Sequence, residues 1–173
     1  MTPSSATVIV RPAVTADVPA IAELVASFAG DGPRLLRKAT VTLYEDVQEF
    51  VVAVDRETDT VIGCGALHVL WEDLAEVRTL AVSANAQRGG IGSLIVTELL
   101  DRARRLGVRR VFCLTFATEF FGRHGFVEIE GTPVEPAVYQ QLLESYDQGV
   151  AEFLGLEQVK PNTLGNIRML VEL

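Results

Sequence analysis

A strand-like run at residues 76–82 passes into Gln87-Arg88-Gly89-Gly90-Ile91-Gly92 and then into a long amphipathic stretch. Over residues 91–106, Ile91, Leu94, Ile95, Leu99, Ala103 and Leu106 recur at helical spacing on one face. Gly107 ends that pattern, and Arg102, Arg104 and Arg105 fill the last turns, where cations suit the helix dipole. Residues 108–115 follow at once as a short apolar run, the pattern of a strand buried on both faces. A strand, a helix and a strand joined this closely form a crossover, so the two strands are expected to lie parallel. That unit fixes the middle of an α/β sheet and commits the glycine turn to the start of its helix.

A glycine-rich turn feeding a helix leaves several backbone N–H groups without helical acceptors, all pointing one way. With the positive end of the helix dipole behind them, those donors suit a phosphate or pyrophosphate. Three phosphate-binding patterns compete for this turn. A Walker loop needs lysine before a serine or threonine, and Gly92-Ser93-Leu94 has no lysine. A dinucleotide fingerprint needs its glycines after the first strand and an acidic residue about 20 positions on. Gly89, Gly90 and Gly92 come mid-chain with no such residue following. The coenzyme A pattern, Gln/Arg-x-x-Gly-x-Gly/Ala, is met in order by Gln87, Gly90 and Gly92.

Around this unit, residues 7–11 read as a strand, and Thr15 as the N-cap of a helix over 16–27. Gly30-Asp31-Gly32-Pro33 breaks that helix, a basic loop runs over 34–38, and a second helix is expected at 41–48. Residues 50–54 and 61–70 flank a polar turn as a hairpin, with 74–82 as a third strand beside it. Downstream, the pattern gives a short helix at 119–124, a strand at 126–130, a helix at 136–146 and a closing strand at 169–173. The mixed order predicts an α/β (α+β) fold with a mostly antiparallel central sheet, one parallel pair and helices on both faces.

At 173 residues the chain is expected to form one domain over 1–173. A net charge of −8 argues against broad nucleic-acid binding, which needs a basic face. Cys64 and Cys113 have neither metal-ligand nor redox spacing, which points to no metal and to a reducing cytoplasm. No apolar run approaches the roughly 20 residues of a membrane span. The first residues lack the basic and apolar parts of a signal peptide.

One strand and one helix beyond the glycine turn lies Phe120-Phe121-Gly122-Arg123-His124-Gly125-Phe126. With Glu76 and the turn, this segment resembles the GNAT acetyltransferases, which transfer acetyl from acetyl-CoA to an amine. The resemblance covers residues 7–173 in element order and is most specific over 76–126. Gly63-Cys64-Gly65-Ala66-Leu67, Leu80-Ala81-Val82, Phe112-Cys113-Leu114-Thr115 and Asn166-Ile167-Arg168-Met169-Leu170-Val171 look like the acetyltransferase domain of N-acetylglutamate synthases. The whole chain is similar to their short, stand-alone actinobacterial form. Longer members add an arginine-sensing kinase-like domain, for which this chain is expected to have no room. Feedback through such a domain is therefore not expected, while a direct effect of arginine stays open.

The resemblance implies acetyl-CoA as cosubstrate, with no metal. It places coenzyme A at Leu80, Ala81, Val82, Gln87, Arg88, Gly89, Gly90, Ile91, Gly92, Ser93, Phe120 and Arg123. An amino-acid ammonium must lose a proton before attacking a thioester, and a carboxylate placed at the amine can take it. Glu76 matches the family's catalytic glutamate; period-two alternation puts it on one face with Arg78, Leu80 and Val82. The family also implies a strand that splays after Leu80, freeing a backbone N–H near Val82 for the thioester oxygen. A departing thiol ordinarily titrates at about pH 8.5 and needs little help to leave. Many relatives carry a tyrosine acid where this chain has Phe121. Thr115 matches the hydroxyl residue proposed for the synthases, and His124 is a further proton donor to weigh.

Glutamate carries two carboxylates, so cations are expected around it: Arg37, Lys38, Arg78 and Arg168, with guanidinium groups suited to bidentate contacts. The carboxylate-binding Arg and Ser of the longer synthases fall here at Gly165 and Ile167. That departure allows a shift toward glutamine, with Asn162 and Asn166 as amide-compatible partners. The expected activity is transfer of acetyl to L-glutamate or L-glutamine, the entry to arginine synthesis, by direct attack in a ternary complex. Another small amine or a protein N-terminus is the rival acceptor, and a non-catalytic acetyl-CoA sensor the rival class. The expected partners are small molecules, without nucleic acid or membrane, and a homodimer is left open.

Overall fold

The computed structural model describes residues 7–29, 38–87, 89–147, 150, 154 and 166–173. Arg37, Arg88, Asn162 and Gly165 lie outside the described residues. The strands are β1 (Val8–Pro12), β2 (Phe50–Asp55), β3 (Thr60–Trp71), β4 (Leu74–Val82), β5 (Arg110–Thr115), β6 (Val127–Glu128) and β7 (Ile167–Glu172). The helices are α1 (Val18–Ala29), α2 (Thr40–Glu45), α3 (Ile91–Arg105), α4 (Thr118–Gly122) and α5 (Pro136–Leu142). One seven-stranded sheet carries them in the order β1-β2-β3-β4-β5-β7-β6. Every described neighbour pair is antiparallel except β4 and β5, which run parallel across the α3 crossover. Mostly antiparallel with one parallel pair is the sheet the sequence pattern predicts.

Alternation in the strands divides the apolar side chains between two layers. Val51, Ala53, Ala75, Val77, Val111 and Cys113 pack with the Ile91, Ile95 and Leu99 face of α3. Val52, Val54, Cys64 and Ala66 pack on the other face with Val18, Ile21 and Val25 of α1. Leu74, Phe112 and Leu170 extend that second face to Leu142 of α5. α3 lies close to the sheet because β3 offers glycine beneath it. A Cβ at Gly65 would stand 2.7 Å from Ile95 Cγ2 and 3.1 Å from Leu99 Cδ1.

Several element ends differ from expectation, each for a local reason. Thr15 does not cap α1. It opens a 3-10 turn, Thr15–Asp17, and the Asp17 carboxylate accepts the Val14 N–H at 2.8 Å. Arg11 holds that carboxylate through two hydrogen bonds, at 2.7 and 2.9 Å. α2 ends at Glu45, and Val47–Glu49 form a separate 3-10 turn. α5 stops at Leu142 rather than 146, and β6 shortens to Val127–Glu128.

The largest departure lies in β4. Cys64 pairs with Ala81 and Ala66 with Arg78, so Thr79 and Leu80 together face the single residue Gly65. This is a β-bulge, and Thr79 has φ 56°, in the left-handed region that a β-branched residue rarely enters. The extra residue reverses the alternation. Leu80 and Val82 join the α3 layer, while Arg78 reaches acids on the opposite face. The expected shared face of Glu76, Arg78, Leu80 and Val82 is therefore broken at Thr79.

Gly65→Ala is expected to destabilise the fold by about 1–3 kcal/mol through overpacking against α3. Gly122→Ala, in α4 where nothing lies within 4 Å of the new Cβ, should leave stability unchanged or raise it by up to about 1 kcal/mol. Urea unfolding of both variants checks the contrast.

Candidate active site

β4 and β5 pair only at Leu74↔Arg110, Ala75↔Val111 and Glu76↔Phe112. Both strands continue, to Val82 and Thr115, without further pairing. The parting thus begins directly after Glu76, four residues earlier than the expected position at Leu80. Beyond it, the β5-facing backbone groups of β4 have lost their strand partners, so a bound molecule can meet them.

α3 begins at the same end of this opening. Gly90 is its N-cap, at φ 77° in the left-handed region, and no side chain caps the helix. The amides of Ile91, Gly92 and Ser93 therefore have no intrahelical acceptor. Gly90 has open space where a Cβ would be, while a Cβ at Gly92 would stand 3.3 Å from Phe120 Cζ. Those two glycines leave room over the uncapped turn, and the site fits an anionic group there. Gln87 holds the turn back through Nε2, which donates to the Val82 carbonyl at 3.3 Å. Ala81 is buried.

The phenylalanine segment closes against this turn. Phe120 meets the Phe121 ring edge-on at 5.1 Å and His124 at 5.1 Å. Arg123 lies 6.0 Å from the Phe120 centroid. His124 Nε2 and Ser93 Oγ are 3.1 Å apart. Burial, followed by the nearby Arg123 charge, lowers the His124 pKa from its ordinary value. Phe121 is buried and packs edge-on to Phe126 at 5.3 Å, a core role. Thr115 Oγ1 accepts the Ala117 N–H at 2.9 Å, closing the turn into α4. Alternation puts Thr115 with Val111 and Cys113, on the face away from Glu76.

On the other face Glu76 is buried, 4% exposed. Its Oε2 lies 3.9 Å from Arg78 Nη1, an ion pair too long for a hydrogen bond. Arg78 is the hub of a cluster that sequence reasoning missed. Nη1 donates to Asp147 Oδ1 at 2.8 Å and Nη2 to Glu49 Oε2 at 3.0 Å. Asp46 Oδ2 lies 3.7 Å from Nη2 and accepts from Lys38 Nζ at 3.0 Å. His68 Nδ1 meets Glu49 Oε1 at 2.6 Å. Burial opposes the Arg78 charge, but Glu76, Asp147 and Glu49 hold its pKa above the ordinary value. Burial likewise pushes Glu49 up, and the His68 hydrogen bond and the Arg78 charge outweigh it, leaving Glu49 below its ordinary value. Asp147 follows the same balance, with Arg78 prevailing over burial.

The expected ring of carboxylate-binding cations is therefore altered. Lys38 and Arg78 are present on this face but already engaged by acids of the protein. Arg168, paired with Leu114, alternates onto the Leu170 side of β7, across the opening from Glu76. Asn166 immediately precedes β7. Among the described residues no group of three or more His, Cys, Asp or Glu side chains could hold a metal, and no helix is long and apolar enough to cross a membrane.

Residues 21–126 match the family model described as the acetyltransferase (GNAT) family. The chain belongs to the GNAT acetyltransferase family. It is 58% identical over 166 residues to the amino-acid acetyltransferase of Mycobacterium tuberculosis, covering 95% of this chain and 94% of that one. A solved structure of Rv2747 from the same organism, in complex with CoA and NLQ, superposes with TM-score 0.91 at 58% identity, over 95% and 99% of the two chains. N-acetylglutamate synthase from Neisseria gonorrhoeae, complexed with coenzyme A and N-acetyl-glutamate, matches with TM-score 0.75 at 26% identity. That match covers 96% of this chain and 35% of the longer synthase.

His124 is expected to titrate below the midpoint of a solvent-exposed histidine in an NMR pH series. Arg123→Gln should move that midpoint upward by removing the neighbouring positive charge; an unchanged midpoint contradicts the part assigned to Arg123 and leaves burial as the cause.

Proposed function

We propose that this chain transfers acetyl from acetyl-CoA to the α-amino group of L-glutamate or L-glutamine, the first step of arginine biosynthesis. The observation that carries this reading is Glu76, a buried carboxylate at the last residue of β4 paired with β5, where the sheet opens. The name of the Mycobacterium relative and the N-acetyl-glutamate bound to the Neisseria synthase support the acceptor class.

Acetyl-CoA brings a thioester whose acyl carbon is open to attack by an amine. The amides of residues 91–93, with Gly89, Gly90, Gln87, Arg88 and Arg123, hold its pyrophosphate, and Phe120 lies against its path. Glu76 takes the ammonium proton of the acceptor, directly or through a water. A β4 backbone N–H near Val82 receives the thioester oxygen as it gains charge. Thr115 is the proposed partner of the leaving thiolate; its oxygen already accepts the Ala117 N–H, so its own hydrogen is the one it offers. Transfer is direct. Burial pushes the Cys64 thiol up to about 12 and holds Cys113 well above its ordinary value, so neither supplies a thiolate for a covalent intermediate.

The acids around Arg78 suit the acceptor's ammonium group. With Lys38 and Arg78 engaged internally, they favour a side chain without charge, and glutamine over glutamate. Asn166 and Arg168 are the proposed contacts to that side chain, together with Arg37. The same acid surplus also favours a second reading, in which a different small amine is the acceptor.

Thiol release from acetyl-CoA, followed against the twenty amino acids and a set of simple amines, tests the reading. Turnover with glutamine and glutamate is expected at least about tenfold above the rest, a discrimination worth about 1.4 kcal/mol. Equal rates with all acceptors, or none with any, contradict it.

A further inference from the structure

Arg78 poses an electrostatic problem for a proton acceptor. Its Nη1 lies 3.9 Å from Glu76 Oε2, and its side chain is 8% exposed. An uncancelled guanidinium at that range favours the ionised carboxylate and opposes proton uptake. Without any guanidinium, the buried Glu76 would lie near the part-buried Glu49, Asp46 and Asp147, and like charges would drive proton uptake before an acceptor arrived.

The arrangement lies between those extremes. Asp147 takes the same Nη1 at 2.8 Å, Glu49 takes Nη2 at 3.0 Å, and Asp46 stands 3.7 Å from Nη2. We propose that Asp147 and Glu49 are positioning residues, fixing Arg78 beside Glu76 and cancelling most of its charge there. Glu76 then stays ionised at rest yet able to take the acceptor's proton. This inference rests on the acetyl-transfer reading above. The other titratable groups facing the cluster, among the described residues, are Lys38 on Asp46, His68 on Glu49 and the Cys113 thiol, which feels the Glu76 charge.

Asp147 is the informative member, because Oδ1 also accepts the Val150 N–H at 3.1 Å. It ties the stretch after α5 to the strand that carries Glu76. Asp147→Asn keeps an oxygen for both donors and removes only the charge. The test is kcat for acetyl transfer against pH, at saturating acetyl-CoA and acceptor, for wild type, Asp147→Asn and Arg78→Gln. The acceptor's own ionisation is common to all three and cancels in the comparison.

Loss of the Asp147 charge leaves Arg78 less compensated, so Asp147→Asn should move the acid limb to lower pH by about one unit. Arg78→Gln should move it the other way. Should Arg78→Gln not fold, Glu49→Gln supplies a second charge removal, with a shift in the same direction as Asp147→Asn. An Asp147→Asn profile that keeps the wild-type limb, with kcat scaled equally at every pH, makes Asp147 a structural tie and overturns this inference alone. A wild type that acetylates no amine overturns the reading beneath it, and this inference with it.

Discussion

Parallel pairing between β4 and β5 stops at Glu76↔Phe112, and the rest of the site is arranged around that stop. Two strands that have just come together across the α3 crossover separate, exposing backbone donors between them. The bulge at Thr79 belongs to the same event. By placing two residues opposite Gly65, it turns Leu80 and Val82 toward α3 and leaves Glu76 and Arg78 on the other side. One strand thereby borders both halves of the proposed transfer reaction. Its end borders the uncapped start of α3, and its middle holds the carboxylate.

The two faces of β4 have different electrostatics. The α3 side ends in amides and the positive pole of a 15-residue helix, a setting for anions. The α1 side holds more acid than base, gathered on Arg78. The two sides of a single opening therefore suit the anionic donor and the ammonium acceptor of the proposed reaction. The proposed proton acceptor, Glu76, lies at the vertex, buried but not isolated, because Arg78 and its acids share its surroundings.

The crossover was legible in the sequence because its signals are local. The helical period of α3, the glycines before it and the apolar run of β5 each declare themselves within about a dozen residues. The family resemblance drew on the same segments. Thr79 was not legible, since a β-branched residue carries no signal for a left-handed backbone, and a strict two-residue period hides the bulge. The Arg78 cluster was equally hidden. Its partners come from 29 and 69 residues away in sequence, and only the tertiary fold brings them together. Arg78 read alone suggested a cation for the substrate, and a local reading could not show that Asp147 and Glu49 already engage it. Thr115 shows the same limit, since the turn hydrogen bond its oxygen accepts from Ala117 has no sequence signal.

In the proposed reaction the carboxylate at the parting of β4 and β5 carries the proton transfer, while the α3 turn carries the donor. Glu76→Gln separates those roles when thiol release and acetyl-CoA affinity are measured on the same protein. The expected result is a loss of at least about a hundredfold in kcat, the usual scale of a general base, with acetyl-CoA affinity within about twofold of wild type. Undiminished turnover in Glu76→Gln would contradict that division of roles.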